Sequence, residues 1–267
     1  MQVKIVIIFL FFLLLSFSEA INTSHYLPFG QSWAADQLLP LPLGLGATYY
    51  MHDQIYRLDR LHLNLDWFTD DMTEGLSVDN QTKEMNLKFD IWVLPFANVF
   101  GLIGSVKGET KVDLSDIPAI DLNNINIKYD GMVYGGGLTL VYGLKNLFTT
   151  ATITATSTRL NDSTSDMKSW VFTPKAGINV PGPFFLNGTA LWVGGMYQET
   201  EEMHQGHIYI EQIQGNEEVE YEVTLGENQP WNYLAGLCAN LTRRWQLELE
   251  AGFGERQHAI ASLVFRF

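Results

Sequence analysis

Trp245-Gln246-Leu247-Glu248-Leu249-Glu250-Ala251-Gly252-Phe253-Gly254 alternates with period two. Side chains of a strand point to opposite faces in turn, so Trp245, Leu247, Leu249, Ala251 and Phe253 share one side and Gln246, Glu248 and Glu250 the other. Ten residues is the length a tilted strand needs to cross a bilayer. The polarity of the faces decides the class. A soluble β-sandwich also alternates but shows a polar face outward, whereas here Trp and Phe stand opposite the charges, as in a strand with lipid on one side and a polar interior on the other.

The same pattern recurs along the chain. Met85, Leu87, Phe89, Ile91 and Val93 alternate with Asn86, Lys88, Asp90 and Trp92, and Trp170, Phe172, Ala176 and Ile178 with Thr173, Lys175 and Asn179. Ala151, Ile153 and Ala155 alternate with Thr150, Thr152, Thr154 and Thr156. So many threonines favour a strand over a helix. Short turns at 95–98, 143–146, 181–183 and 241–244 join these runs, and longer polar connections fall at about 68–80, 107–124, 160–168 and 198–229. Short turns at one end and long loops at the other are the arrangement of an outer-membrane barrel.

Counting back from the last residue gives strands at 258–267, 245–254, 230–241, 184–198, 169–180, 147–159, 125–142, 98–107 and 82–94. Residues 41–67 supply the remainder, and bacterial single-chain barrels have even strand numbers. The expectation is an all-β, transmembrane, antiparallel up-and-down barrel of about ten strands over 41–267. Twelve is the alternative if a further crossing lies in 68–80, although Asp70, Asp71, Glu74 and Asp79 suit a crossing poorly. Residues 21–40 read as a periplasmic lead or an interior plug.

Lys4, the apolar stretch 5–15 and the small residues Ser18 and Ala20 read as a secretory signal peptide over 1–20, cut after Ala20. Past Ala20 no run of 18 apolar residues occurs, so no helix of the mature sequence is expected to span a membrane. Lys+Arg 16 against Asp+Glu 30 gives a net charge of −14, which repels nucleic-acid phosphates and excludes a DNA- or RNA-binding role. A single cysteine, Cys238, excludes an internal disulfide and a cysteine-cluster zinc site; its phase puts it on the lumen side as a small core residue.

The chain ends Ala259-Ile260-Ala261-Ser262-Leu263-Val264-Phe265-Arg266-Phe267. This resembles the C-terminal strand of Gram-negative outer-membrane β-barrel proteins, with a terminal Phe and apolar residues at every second place before it. The resemblance implies that Leu263, Phe265 and Phe267 form the signal read by the barrel-assembly machinery. It implies a porin-like multi-pass protein of the cell outer membrane, in contact with its lipids and lipopolysaccharide. Residues 90–102 are similar to uncharacterised members of the same broad class, which implies no reaction.

Strand phase directs Lys88, Asp90, Lys128, Asp130, Lys175, Glu248, Glu250 and Arg266 into the lumen. Four positive and four negative charges balance there, either pairing across a filled barrel or lining a slender pore, since ten or twelve strands leave no wide channel. The two leading functions are therefore a narrow passive channel and a structural surface barrel of monomeric form, needing no cofactor. A surface-binding reading, for divalent cations, lipopolysaccharide or an external ligand, rests on 198–229, rich in Glu and free of Lys and Arg, whose carboxylates suit divalent cations. Its alternating segments 208–213 and 219–225 read as a hairpin above the membrane. Glu201, Glu202, His204 and His207 are the candidate ligands of an unassigned metal. A rim-located hydrolase would draw on Asp70, Asp71, His204 and His207; no catalytic residue is assigned. No G-x-S-x-G element occurs, and Gly135-Gly136-Gly137 lacks the Lys-Ser/Thr of a phosphate loop, so those glycines are expected to permit a bulge or sharp curvature.

Overall fold

The computed structural model describes residues 26–34, 39–63, 77–113, 124–161, 166–180, 188–209, 218–227 and 229–267, with 57–63, 77, 112–113, 124–125, 127, 201–209 and 218–227 described by backbone alone. Residues 1–20, expected as a signal peptide, lie outside these residues, as do Asp70, Asp71 and the turn expected at 181–183.

Eleven strands form one antiparallel sheet that closes on itself. They are β1 (Leu43–Leu63), β2 (Ser77–Leu94), β3 (Ala97–Asp113), β4 (Asn124–Leu144), β5 (Leu147–Leu160), β6 (Asp166–Val180), β7 (Thr189–Tyr209), β8 (Glu218–Glu227), β9 (Trp231–Asn240), β10 (Trp245–Phe253) and β11 (Arg256–Arg266). A short 3-10 helix, Gln31–Ala34, precedes them. β8 and β9 are successive parts of one stave: both run antiparallel to β7, β9 against 189–197 and β8 against 202–209. The barrel thus has ten staves, closed by pairing of β1 with β11 from Gly44↔Arg266 to Gln54↔Arg256. The twelve-strand alternative falls away.

The wall is uneven in height. β10 and β11 have 9 and 11 residues, against 21 in β1, β4 and β7. Over the low β10–β11 hairpin, β8 bridges β7 to β1 and pairs with Tyr56 through Leu63. Strands also run into stretches expected as loops: β3 to Asp113, β4 from Asn124, β6 from Asp166, and β7 and β8 through most of 198–229. The expected hairpin there is present in outline, as Tyr209 pairs with Glu218 across residues 210–217.

Tight turns sit at one end, Pro95-Phe96 between β2 and β3 and Lys145-Asn146 between β4 and β5, where Lys145 takes a positive φ of 54°. Residues 26–34 dock at this end. Phe29 N donates to Val93 O at 2.8 Å, and the Trp33 ring stacks on Phe96 at 6.2 Å. Trp33 itself is 70% exposed.

The outer face is apolar where the phases said it would be. Met85, Leu87, Phe89, Ile153, Ile178 and Leu249 are all exposed, although large and hydrophobic. On β2 the apolar outward row runs from Met85 to Val93; eight steps at ~3.3 Å, tilted by ~40°, give a band roughly 20 Å tall, the order of an outer-membrane barrel's belt. Aromatics border it. At the tall end Trp170, Tyr197 and Trp231 form a row with centroids 5.1 and 5.4 Å apart, and at the turn end Trp245, Phe265 and Phe267 do the same at 4.9 and 6.1 Å. Amphipathic rings favour the two membrane–water interfaces. Beyond the tall-end row the outer face carries Lys83, Lys107, Glu109, Lys128 and Asp130.

Candidate functional site

The interior, rather than a surface cleft, gathers the polar chemistry of the described residues. Nearest the turns, Asp90 is 1% exposed on β2 and accepts from Asn98 Nδ2 at 2.7 Å and from Arg266 Nη1 at 3.0 Å. Arg266 Nε donates in turn to Gln246 Oε1 at 2.6 Å. β2, β3, β10 and β11 each contribute, so this cluster ties the seam of the barrel. Gly44 makes room for it, since a Cβ there would overlap Asp90 Oδ2.

One layer further in, Lys175 on β6 reaches Glu250 on β10. Nζ lies 2.5 Å from Glu250 Oε2 and 3.9 Å from Glu248 Oε1. Trp192 Nε1 of β7 donates to Glu250 Oε2 at 2.9 Å, and the Lys175 ammonium sits 5.0 Å from the Trp192 ring centroid. β6 and β10 are separated by β7 and β9, so the pair joins staves that are not neighbours. Trp192 packs with Met196 and Leu234 into the one apolar cluster of the described interior, with Cys238 against it. Lys88 lies 4.4 Å over the Phe100 ring, a cation–π contact in place of a carboxylate partner.

Toward the tall end Asn80 Nδ2 donates to Thr110 Oγ1 at 2.9 Å and to Tyr129 Oη at 3.0 Å, while Thr82 Oγ1 donates to Asn80 Oδ1 at 2.8 Å. These inward residues on β2, β3 and β4 fill the barrel with neutral hydrogen bonds. The adjacent stave carries smaller inward side chains. β5 presents Thr150, Thr152, Thr154 and Thr156, all half-buried, beside the glycines of β4.

Of the eight charges directed to the lumen by strand phase, Lys88, Asp90, Lys175, Glu248, Glu250 and Arg266 project inward. Lys128 and Asp130 do not. Both are exposed on the outer face of β4, across from Glu109 and Lys107, while their neighbour Tyr129 points in. The error has a physical source: Ile125, Ile127 and Tyr129 occupy odd positions and Met132, Tyr134, Leu138 and Leu140 even ones. A strand that rises beyond the membrane exchanges its polar face at the interface, and three glycines hide the phase in between. Those glycines form no bulge. The β3–β4 and β4–β5 registers run unbroken through them, and a Cβ on Gly137 would overlap Ile153 O and crowd Phe100.

Trp192, Asn98 and Tyr129 were not singled out by the sequence. Trp192 stands in Ala190-Leu191-Trp192-Val193, an apolar run without a phase of its own; its register opposite Gly236 on β9 was the missing signal. The side chains of Glu201, Glu202, His204 and His207 lie outside the described residues. Among those described, no three of His, Cys, Asp and Glu gather as for a metal.

No family model and no curated protein matches the chain. Solved structures resemble it in shape. The β domain of the Bordetella autotransporter Brka has TM-score 0.39 at 12% identity, covering 84% of this chain and 100% of that one. The translocator domain of the autotransporter NalP from Neisseria meningitidis has 0.40 at 9% identity, covering 88% and 92%. An outer-membrane channel from Pseudomonas putida F1 has 0.37 at 13% identity, covering 86% and 97%.

Proposed function

We propose that this chain is a monomeric outer-membrane barrel with a filled interior, a structural surface barrel that holds the acidic β7–β8 hairpin above the membrane and does not act as an open pore. The observation that carries this reading is the Lys175–Glu250–Trp192 bridge, which joins β6, β7 and β10 inside the barrel. Charges withdrawn from water need partners, and these have them.

The same reading includes an export leader cut after Ala20, insertion by the barrel-assembly machinery through Leu263, Phe265 and Phe267, and contact with outer-membrane lipid and lipopolysaccharide. Fractionation tests it: the mature chain should begin at Ile21 and stay with the outer membrane through salt extraction. Recovery in the soluble periplasm would end it.

A second reading, a narrow passive channel, is favoured by the half-buried threonine row of β5, which lies beside the glycines of β4 in the same wall. Planar-bilayer recording separates the two. The refolded wild type is expected to be silent, whereas steady ohmic conductance whose cation preference falls in a Glu248→Gln/Glu250→Gln variant would establish the channel instead.

A further inference from the structure

Among the described residues Arg256 is an interior cation with no carboxylate partner and, unlike Lys88, no aromatic ring beneath it. Arg256 is 3% exposed, and its side chain has a single hydrogen bond, Nη1 to Gln54 Oε1 at the limiting distance of 3.5 Å. Its Nε and Nη2 are buried without a partner. These two nitrogens form one edge of the guanidinium, the edge whose parallel N–H groups match two oxygens of a carboxylate or phosphate.

Two imidazoles lie beside it. His52 lies one inward position from Gln54 on β1, opposite His258 on β11, and both its ring nitrogens are buried and unpartnered. The Tyr50 ring walls the pair, 5.2 Å from His52 and 5.9 Å from His258. Asn232 Nδ2 donates to Arg256 O at 2.6 Å and meets His258 Nδ1 at 3.3 Å. Glu250 Oε1 lies 3.8 Å from His258 Nε2, but that carboxylate already serves Lys175 and Trp192. Asp53 and Glu255, next to this level in sequence, are exposed. Water can satisfy N–H groups but brings no countercharge, and a buried cation needs one.

We infer that the Nε–Nη2 edge of Arg256 binds a small oxyanion inside the barrel, between β1 and β11 below the β10–β11 tip, with His52 as a second donor. The site takes a carboxylate or a phosphate by bidentate hydrogen bonding, and it is independent of whether the lumen conducts.

The test uses the full mature chain refolded in detergent micelles and titrated with sodium phosphate or sodium formate against sodium chloride of equal ionic strength. The urea midpoint of the wild type should rise saturably with at least one oxyanion. Arg256→Lys keeps the charge but lacks the edge, and should weaken that response at least about tenfold, the scale of one charge-assisted hydrogen bond. The ¹⁵Nε–H resonance of Arg256, assigned by its absence in Arg256→Lys or, if that variant does not fold, by triple-resonance spectroscopy of the wild type, should shift along the same titration. A resonance unmoved by both oxyanions overturns the proposal, as does an equal rise of the midpoint in wild type and Arg256→Lys.

Discussion

Lys175 and Glu250 meet in the lumen from staves that are not neighbours, with Trp192 Nε1 closing on the same carboxylate oxygen. Glu248, two residues away, faces the same space but stands 3.9 Å from Lys175 with its side chain 38% exposed. The two glutamates should therefore behave differently. Glu250→Gln leaves a buried ammonium without its main partner and should cost ~3–5 kcal/mol, while Glu248→Gln should cost under about 1 kcal/mol. Adding Lys175→Met to Glu250→Gln should recover most of the loss, because no charge is then left alone. Urea unfolding in micelles, followed by tryptophan fluorescence, measures all three. Equal effects of the two single variants would mean that the bridge contributes nothing.

The seam cluster predicts a glycine requirement. Gly44 pairs with Asp90 on one side and Arg266 on the other. A methyl at position 44 displaces Asp90 from Arg266 and Asn98, so Gly44→Ala should destabilise the barrel by as much as Asp90→Asn, each by a few kcal/mol. The double variant should be little worse than either single one, since both break the same cluster. Additive losses would show that Gly44 acts through something other than Asp90.

The turn-end half of the barrel was legible in the sequence because a period of two reports directly on a wall with lipid on one side. Trp245 to Phe253 and Met85 to Phe89 needed nothing more, and the short turns at Pro95-Phe96 and Lys145-Asn146 fixed which strands were neighbours. The phase on β4 was not legible, because above the membrane both faces are wet and Lys128 and Asp130 carry no mark of inside or outside. Pairing inside the lumen was not legible either. Lys175 and Glu250 are 75 positions apart in the chain, and only the order and curvature of the sheet bring them together; sequence phase offered Lys88 as readily, which instead caps Phe100.

Position along the wall should set the cost of an outward charge. Leu87 lies near the middle of the apolar band on β2, so Leu87→Arg should cost ~2–4 kcal/mol in lipid vesicles. Lys128→Ala, on the outer face above the band, should change stability by no more than about 0.5 kcal/mol. A large loss from Lys128→Ala would put that side chain back in the interior and reverse the phase of β4.

Phe267 closes the barrel through its backbone as well as its ring. Phe267 N donates to Leu43 O at 3.0 Å and Leu43 N to Phe267 O at 3.2 Å, while the ring stacks on Phe265 at 6.1 Å. Two substitutions separate these roles. Phe267→Ala removes the ring and keeps both seam hydrogen bonds, whereas deleting residue 267 removes all three. At ~0.5–1.5 kcal/mol for each hydrogen bond, the deletion should unfold roughly 1–3 kcal/mol more easily than Phe267→Ala after refolding into vesicles without any assembly factor. In cells the order should change: if the machinery reads the ring, both variants should reach the outer membrane at equally reduced levels, because both lack it. Wild-type membrane levels for Phe267→Ala would leave the terminal residue a role in closing the seam and none in recognition.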